Sequence, residues 1–298
     1  KFGTEEQKKK FITPIATGKS IGAYSLTEPQ SGSDAGTMKS RAALDGDSYI
    51  LNGRKSWVTS GPVADYYVVF MMTDPKKKQK GVSAFIVEAN TPGLTRGKKE
   101  PKLGIRASAT SELIFEDCCV PIANRLGTEG EGFKIAMCAL DQGRYTVAAG
   151  ATGLIRACRD ASVKYAKERR TFGVQIASHQ LVKEMIAQME SDYQTARLLW
   201  QRSGWLKNVG RRNNRETGLA KWFATVASER AAGDAVQIHG ANGYSDEYPV
   251  GRFYRNCKGA VIYEGTREIH KIMQADYLLG YREDRPTRCE LPAYKPSA

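Results

Sequence analysis

The chain contains 298 residues, of which 41% are hydrophobic and 26% charged, and no run approaches the roughly 20 apolar residues that a membrane-spanning helix needs. Six cysteines without a CxxC pair are typical of reduced thiols, which predicts a soluble, intracellular protein without a membrane partner. The net charge of +13 would suit an anionic partner, but the lysines cluster in connectors without interleaved aromatic residues, so we interpret them as a solvated surface and expect no nucleic acid partner.

Residues 1–19 are predicted to form the end of a helix and a connector. The stretch from Thr4 to Ile12 is amphipathic, and Pro14 and Gly18 then interrupt the helical pattern. Because the chain starts with Lys1 inside this pattern, we expect that another segment precedes it.

Residues 20–128 are predicted to form a β-domain. Residues 21–27 read as a strand that leads into a loop rich in hydroxyl groups, over residues 28–34. A hairpin is predicted over residues 41–53, with a second tight turn at Asn52-Gly53. Further β runs cover residues 55–61, 66–72, 82–88 and 112–115. Short strands separated by turns at regular intervals indicate a sandwich or a barrel.

After Pro121 the hydrophobic period becomes helical. Helices are predicted over residues 132–170, 178–206, 216–239 and 268–279, and residues 248–249 read as a connector. The region 129–280 therefore predicts an antiparallel four-helix bundle, and residues 281–298 an extended tail. The fold class is α+β.

One decapeptide, residues 261–270, places a carboxylate between an aromatic residue and a glycine. Glu264 follows Tyr263 and precedes Gly265, which lets a ligand approach the backbone closely. Desolvation raises the pKa of such a carboxylate and makes it a general base near neutral pH. The alternative is a surface glutamate that caps a helix beginning near Thr266.

Five motifs in order resemble the acyl-CoA dehydrogenase family over nearly the whole chain. They are residues 24–29 with 32–34, residues 57–59, residues 169–173 with 179–180, residues 237–243, and residues 263–266. The resemblance implies an N-terminal helical domain, of which only the last helix would be present here, then a β-domain and a C-terminal bundle.

The resemblance also implies an FAD cofactor and its contacts. The residues that match flavin contacts are Tyr24, Leu26, Thr27, Trp57, Thr59, Arg169, Phe172, His179, Gln180, Gln237, His239, Gly240, Ala241, Thr266 and Glu268. Among them, Gln237, His239, Gly240 and Ala241 match a stretch that a neighbouring subunit contributes in the family. The resemblance therefore also implies a homotetramer, which is the typical assembly of family members. The three histidines are too scattered to suggest a metal site, and His270 is expected on a helix surface.

For the substrate, Ser33 matches a contact to the acyl-CoA moiety, and Asp141 with Arg144 matches the wall along the pantetheine. Asp141 and Arg144 could equally form an ordinary pair on a helix surface. Tyr263 and Gly265, which flank the carboxylate, are also expected to contact the substrate. Glu264 is the expected base; some family members place the base at the position that matches Gly143, which carries no carboxylate here.

The resemblance predicts an oxidoreductase that dehydrogenates an acyl-CoA thioester and passes electrons to electron-transferring flavoprotein. Residues 103–110 and 244–248 resemble the glutaryl-CoA dehydrogenase branch most, which suggests a dicarboxylic substrate in the degradation of aromatic compounds or fatty acids. The protein is expected in the cytoplasm of a bacterium or the mitochondrial matrix of a eukaryote. Alternatives are an acyl-CoA oxidase that uses oxygen, a flavin-family protein that binds nucleic acid, and an inactive scaffold, although Glu264, Arg169 and Thr59 argue against the last.

Overall fold

A computed structural model describes residues 1–283, which belong to two compact units. The first unit comprises Lys1–Lys102 and Arg106–Ala139, and the second comprises Leu103–Ile105 and the chain from Leu140 onward. Most of the predicted tail, from residue 284, lies outside the described residues. The domain boundaries that the sequence suggests, after residues 19, 128 and 280, stay predictions.

The first unit begins with helical structure, as the amphipathic pattern predicts. Helix α1 covers Glu5–Gln7, a wider π-helical stretch follows over Lys8–Ile12, and helix α2 covers Thr13–Ala16. Thr4 caps the first turn, because its side chain accepts a hydrogen bond from the Gln7 backbone while the Gln7 side chain accepts one from the Thr4 backbone.

Eight strands of the first unit form one sheet. They are β1 Gly22–Ser25, β2 Arg41–Asp45, β3 Ser48–Thr59, β4 Tyr66–Met72, β5 Val82–Glu88, β6 Leu94–Arg96, β7 Thr110–Pro121 and β8 Arg125–Leu126. The strand order is β6-β7-β3-β2-β4-β5-β8, and β1 pairs with β4 in parallel. Tyr49, Tyr67, Phe85, Leu113 and Phe115 form part of its buried core. The predicted β-domain is therefore confirmed.

The second tight turn predicted at Asn52-Gly53 is wrong. Strand β3 continues through both residues, with a bulge where its register against β7 shifts between Leu51 and Gly53. Gly53 has a φ of +142°, and a Cβ there would lie 2.3 Å from the Ser40 hydroxyl oxygen. The glycine thus serves a close approach inside a strand rather than a turn.

A buried ion pair organises the loop after β1. The Lys55 Nζ lies 2.7 Å from Glu28 Oε1, and both side chains are buried. Lys55 also donates to the Leu26 carbonyl at 3.3 Å, and Glu28 accepts from the backbone N–H groups of Lys39 and Ser40. Burial acts to raise the pKa of Glu28, but the Lys55 charge and these hydrogen bonds lower it overall. The pair therefore ties the loop to β3 as two charged groups.

We expect Lys55→Met to destabilise the first unit strongly. The substitution leaves the Glu28 carboxylate buried without its cation, a loss of roughly 3–5 kcal/mol in the free energy of unfolding. Urea denaturation followed by circular dichroism measures it. The matched control is Lys77→Met, which removes an exposed pair with Asp74 and should leave the curve unchanged. Equal shifts in the two variants would contradict a special role of the buried pair.

The second unit is mainly helical. Its helices are α3 Gly132–Glu168, which starts in the first unit, α4 Gln180–Asn208, α5 Asn214–His239, α6 Pro249–Ala260 and α7 Arg267–Leu278. A short hairpin, β9 Arg170–Thr171 with β10 Val174–Gln175, separates α3 from α4. The inward face of α5 consists of small residues such as Ala224, Ala231 and Ala235, which allow close helix packing.

The four predicted helices are confirmed, and with them the α+β class, but α6 was not predicted. The sequence interpretation took Tyr248-Pro249 as a connector. Proline is, however, favourable in the first turn of a helix, where its missing N–H has no partner to lose. Val250, Cys257 and Ala260 then supply the buried face of α6. Within residues 1–283, no helix is both long and apolar enough to cross a bilayer.

Candidate active site

The turn between α6 and α7 carries Glu264. Glu264 has a φ of +57° and Gly265 a φ of +88°, so two successive residues adopt left-handed backbone. For a glutamate this conformation costs about 1–2 kcal/mol, and it persists only where the surroundings hold it. Thr266, not Glu264, caps α7, because its side chain accepts from the Ile269 N–H at 3.3 Å. The alternative interpretation of Glu264 as a helix cap is therefore wrong.

The Glu264 carboxylate is poorly hydrated. Its Oε2 atom is buried and accepts no hydrogen bond from any of residues 1–283. Burial raises the pKa of Glu264, and the cations of Arg144 and Lys221 oppose that rise. A desolvated carboxylate with lone pairs to spare is suited to accept a proton from a bound ligand.

Gly143 of α3 makes room for this carboxylate. A Cβ at residue 143 would lie 2.1 Å from Glu264 Oε2 and 2.4 Å from Oε1, well inside contact distance. The carboxylate therefore occupies the space that any side chain at residue 143 would need.

Arg144 and Asp141 lie beside the turn. Arg144 Nε donates to the Glu264 carbonyl at 3.1 Å, and its Nη1 lies 3.6 Å from Asp141 Oδ1. Asp141 also accepts from Asn214 on α5 at 3.0 Å. Each side chain of the ion pair is only 13% exposed, so the alternative of an ordinary surface pair is wrong. The substrate contacts of both residues stay predictions.

Two further residues at this turn were not predicted. Lys221 of α5 is fully buried and donates to the Gly265 carbonyl at 2.7 Å. His270 of α7 is also fully buried, so its expected place on a helix surface is wrong. His270 shares one helix face with Met273 and Gln274, and that spacing could have indicated its burial from the sequence. Lys221 offers no such signal.

Burial and mutual repulsion alter the charges of this cluster. Burial and the Arg144 charge lower the pKa of Lys221 to about 8, against the attraction of Glu264 and Glu268. Burial, Arg144 and Lys221 lower the pKa of His270 to about 3, although the backbone of Glu264 and Gly265 acts the other way. At neutral pH the groups packed against the turn are therefore two cations, Arg144 and Lys221, and the neutral imidazole of His270.

In the first unit, the predicted cofactor residues lie on two adjacent segments. The Ser56 N–H donates to the Thr27 carbonyl at 2.8 Å, which joins β3 to the segment that holds Tyr24 and Leu26. The Tyr24 hydroxyl donates to the Ala136 carbonyl at 3.3 Å, and Leu26 is buried. Thr27 and Ser56, which meet here, are 29 positions apart in the sequence.

Trp57 and Thr59 are exposed on this part of β3. The register of β3 shifts between Lys55 and Val58, and Trp57 within that bulge has a φ of +58°. The bulge leaves 63% of the Trp57 surface exposed. A large indole held in the open by strained backbone fits contact with a planar ring. Ser33 is exposed on the nearby loop, and its predicted contact to acyl-CoA is a proposal.

In the second unit, the β9–β10 hairpin presents Phe172, which is 96% exposed and has a φ of +51°. His179 lies behind it, with Nε2 at 3.0 Å from the Thr171 hydroxyl and its ring centroid 6.1 Å from that of Phe172. Gln180 follows as the first residue of α4, and Arg169 precedes the hairpin. An exposed aromatic beside a helix N-terminus and an arginine fits a ligand with both a ring and phosphates.

The remaining predicted cofactor residues differ in exposure. Gln237, Gly240 and Ala241 are exposed at the end of α5. His239 is buried, with Nδ1 2.7 Å from the Ala235 carbonyl and its ring stacked on Tyr165 at 4.2 Å. Its side chain thus packs in the core of its own unit.

Glu268 is exposed on the first turn of α7 and pairs with Arg267 at 2.6 Å. Among residues 1–283, no three His, Cys, Asp or Glu side chains are grouped so as to hold a metal ion.

Comparison with known proteins agrees with this geometry. Residues 23–118 match the middle domain of acyl-CoA dehydrogenase, and residues 130–279 match its C-terminal domain. The chain belongs to the acyl-CoA dehydrogenase family. It is 48% identical to an acyl-CoA dehydrogenase of Bacillus subtilis, over 94% of this chain and 74% of the relative. It is 46% identical to the mitochondrial short-chain specific acyl-CoA dehydrogenase of Rattus norvegicus, over 94% of this chain and 68% of the relative.

Solved structures of this family are also similar. Butyryl-CoA dehydrogenase from Megasphaera elsdenii superposes with a TM-score of 0.91 at 44% identity, covering 93% of this chain and 73% of that one. A glutaryl-CoA dehydrogenase in complex with glutaryl-CoA has a TM-score of 0.94 at 38% identity, covering 99% and 74%. A chain from work on the electron transferring flavoprotein of Acidaminococcus fermentans has a TM-score of 0.91 at 48% identity, covering 93% and 73%.

The protein is therefore an oxidoreductase with FAD as its cofactor. The more specific resemblance to the glutaryl-CoA branch is not supported, because the short-chain specific enzymes of Rattus norvegicus and Mus musculus are 46% identical to this chain, whereas the glutaryl-CoA dehydrogenase structure is 38% identical. The oxidase alternative is not favoured either, since those relatives are named as dehydrogenases or a reductase.

Proposed function

We propose that this enzyme dehydrogenates a short-chain acyl-CoA thioester of the butyryl-CoA class to the 2-enoyl-CoA, with Glu264 as the base. The observation that carries the proposal is the Glu264 carboxylate, whose Oε2 atom is buried and has no hydrogen-bond partner within residues 1–283. Similarity to short-chain enzymes supports the substrate class.

The base acts on a weak carbon acid. A hydrogen on the carbon next to a thioester carbonyl leaves only if a positioned base accepts the proton. Glu264 Oε2 takes that proton, and the carboxylate becomes a carboxylic acid in the same poorly hydrated environment that raises its pKa. FAD, when bound, supplies the acceptor for the hydride that leaves the adjacent carbon. The substrate thereby loses one proton and one hydride and gains a double bond.

The residues proposed to hold FAD follow from exposure and the family match. Trp57 and Thr59 of the first unit would face the ring system, with the backbone of the Tyr24–Thr27 segment beside them. Arg169, Phe172 and Gln180 of the second unit would bind the pyrophosphate and adenine portions. Gln237, Gly240 and Ala241 are proposed to contact the FAD of a neighbouring subunit. Thr266 caps α7 by accepting from the Ile269 N–H, and its hydroxyl would still be able to donate to the cofactor.

The experiment is a reductive titration of the FAD-loaded protein without oxygen. Butyryl-CoA, glutaryl-CoA and benzylsuccinyl-CoA are added separately, and the visible flavin band is followed. We expect butyryl-CoA to bleach the band most rapidly. Faster bleaching by glutaryl-CoA would restore the dicarboxylic substrate, and no bleaching by any thioester would refute the proposed function. Rapid turnover in air with release of hydrogen peroxide would indicate the oxidase alternative.

We further propose that electron-transferring flavoprotein accepts the electrons and that the enzyme is a homotetramer. The similarity to a chain from work on such a flavoprotein supports the acceptor. Exposed apolar side chains on α4, namely Leu181, Leu198 and Trp205, would suit a subunit interface. Light scattering on the FAD-loaded protein distinguishes a tetramer from smaller assemblies.

A further inference from the structure

We propose that Lys221 is a positioning residue that holds the Glu264 carboxylate in place for proton abstraction, acting through the Gly265 carbonyl. This inference rests on the proposed function, in which Glu264 is the base. It assigns a role to a buried cation that the steps above do not use.

The geometry places Lys221 directly under the strained turn. Its Nζ donates to the Gly265 carbonyl at 2.7 Å, while Arg144 Nε donates to the Glu264 carbonyl at 3.1 Å. Two consecutive carbonyls of a left-handed turn are thus held by cations from two different helices, α5 and α3. Glutamate is an unfavourable residue at positive φ, so such hydrogen bonds select the conformation that directs its carboxylate toward Gly143.

His270 completes the support from α7. A Cβ on Gly265 would lie 3.2 Å from His270 Nε2, so the turn rests closely on the imidazole. His270 is neutral in this environment, because burial and the two cations lower its pKa to about 3. An additional positive charge beside Lys221 is thereby avoided. Arg144 and Lys221 are the two cations whose charges act on the pKa of the base.

The charges that face the turn come from every element packed against it. Helix α3 contributes Arg144 and Asp141, α5 contributes Lys221, and α7 contributes Glu268 and His270. Among these, Arg144 and Lys221 lower the pKa of Glu264. Removing the Lys221 charge should therefore raise that pKa and reduce the ionised fraction of the base at neutral pH. A lysine that only filled space would have no such effect.

The test compares Lys221→Met with the wild type as FAD-loaded protein and butyryl-CoA as substrate. Methionine keeps the length and apolar stem of lysine but removes its charge and donor. We expect the acidic limb of the kcat–pH profile to shift to higher pH by about one unit, which is a typical size of the pKa change when a nearby opposite charge is lost. The kcat at pH 6 should fall about tenfold, because less Glu264 is ionised, while KM and the flavin spectrum change little.

The matched control is Thr225→Ala, one turn further along the same face of α5. Thr225 is fully buried, and its hydroxyl donates within α5 to the carbonyls of Lys221 and Trp222. This variant should lose stability without any movement of the pH profile. Lys221→Arg should retain the wild-type profile more closely than Lys221→Met, because it retains the charge.

The outcomes separate this inference from the proposed function. If the wild type turns over butyryl-CoA and Lys221→Met has an unmoved pH profile, Lys221 has no positioning role and Glu264 can still be the base. If the wild type is inactive with every thioester, the proposed function fails first. Should Lys221→Met not fold, Lys221→Gln provides the same loss of charge with a donor retained, and an unmoved profile in it overturns the inference equally.

Discussion

Glu264→Gln should abolish almost all dehydrogenation while FAD stays bound. The amide has nearly the shape of the carboxylate but cannot accept the proton, so kcat should fall by about 10³–10⁴-fold, near the upper range for a general base. Stopped-flow reduction of the flavin by butyryl-CoA measures the step directly. The visible spectrum before mixing shows that the cofactor is retained.

Stability provides an independent readout for the same variant. Burial raises the pKa of Glu264 in the folded protein above its value in the unfolded chain, so ionisation of Glu264 opposes folding. The wild type therefore loses stability as the pH rises from the pKa of Glu264 in the unfolded chain to its pKa in the folded protein. Glu264→Gln lacks this ionisation, and its melting temperature should be equal to or higher than that of the wild type above that range. Glu184→Gln, at an exposed position of α4, is the control and should change neither property. Near-normal flavin reduction in Glu264→Gln would place the base elsewhere.

Where local sequence patterns determine structure, the fold could be predicted closely. Strand β5, Val82–Glu88, consists largely of buried apolar residues between turn signals, and the sequence bounds agree with the structure. Helix α6 was missed because Pro249 resembles a terminator when nothing reveals that the following residues are buried. The bulge at Gly53 could not be predicted either, since the close contact with Ser40 depends on the pairing of β2 with β3.

The candidate site likewise contains residues that a local sequence pattern predicts and residues that only the packing of the helices brings together. The Tyr263-Glu264-Gly265 pattern is local and indicated a desolvated carboxylate, which agrees with the buried Oε2. Arg144, Lys221 and His270 come from three helices and meet only through the packing of the bundle. Lys221 in particular carries no sequence signal of burial, because lysine is almost always exposed and its partner here is a backbone carbonyl. Predicting it requires knowledge of which helix lies beneath the turn.

Gly143→Ala should impair catalysis by steric displacement alone. A single methyl group at residue 143 would lie 2.1 Å from Glu264 Oε2, so the carboxylate must move by an ångström or more. Misplacement of a catalytic group on that scale can reduce the rate about 100-fold. We therefore expect kcat for butyryl-CoA to fall by about two orders of magnitude, with the flavin spectrum unchanged. Glu264 remains ionisable, which distinguishes this variant from Glu264→Gln.

Gly150→Ala supplies the matched control on the same helix. A Cβ at residue 150 would meet no atom within 4 Å, whereas the change in helix propensity is the same at both positions. Each alanine should favour helix formation by about 0.5–1 kcal/mol relative to glycine, so neither variant is expected to unfold more easily through α3 itself. Loss of activity in Gly143→Ala but not in Gly150→Ala would identify the contact with Glu264 as the cause. Equal activity in both would mean that the carboxylate works from a position away from Gly143, and the geometry proposed for proton abstraction would have to be abandoned.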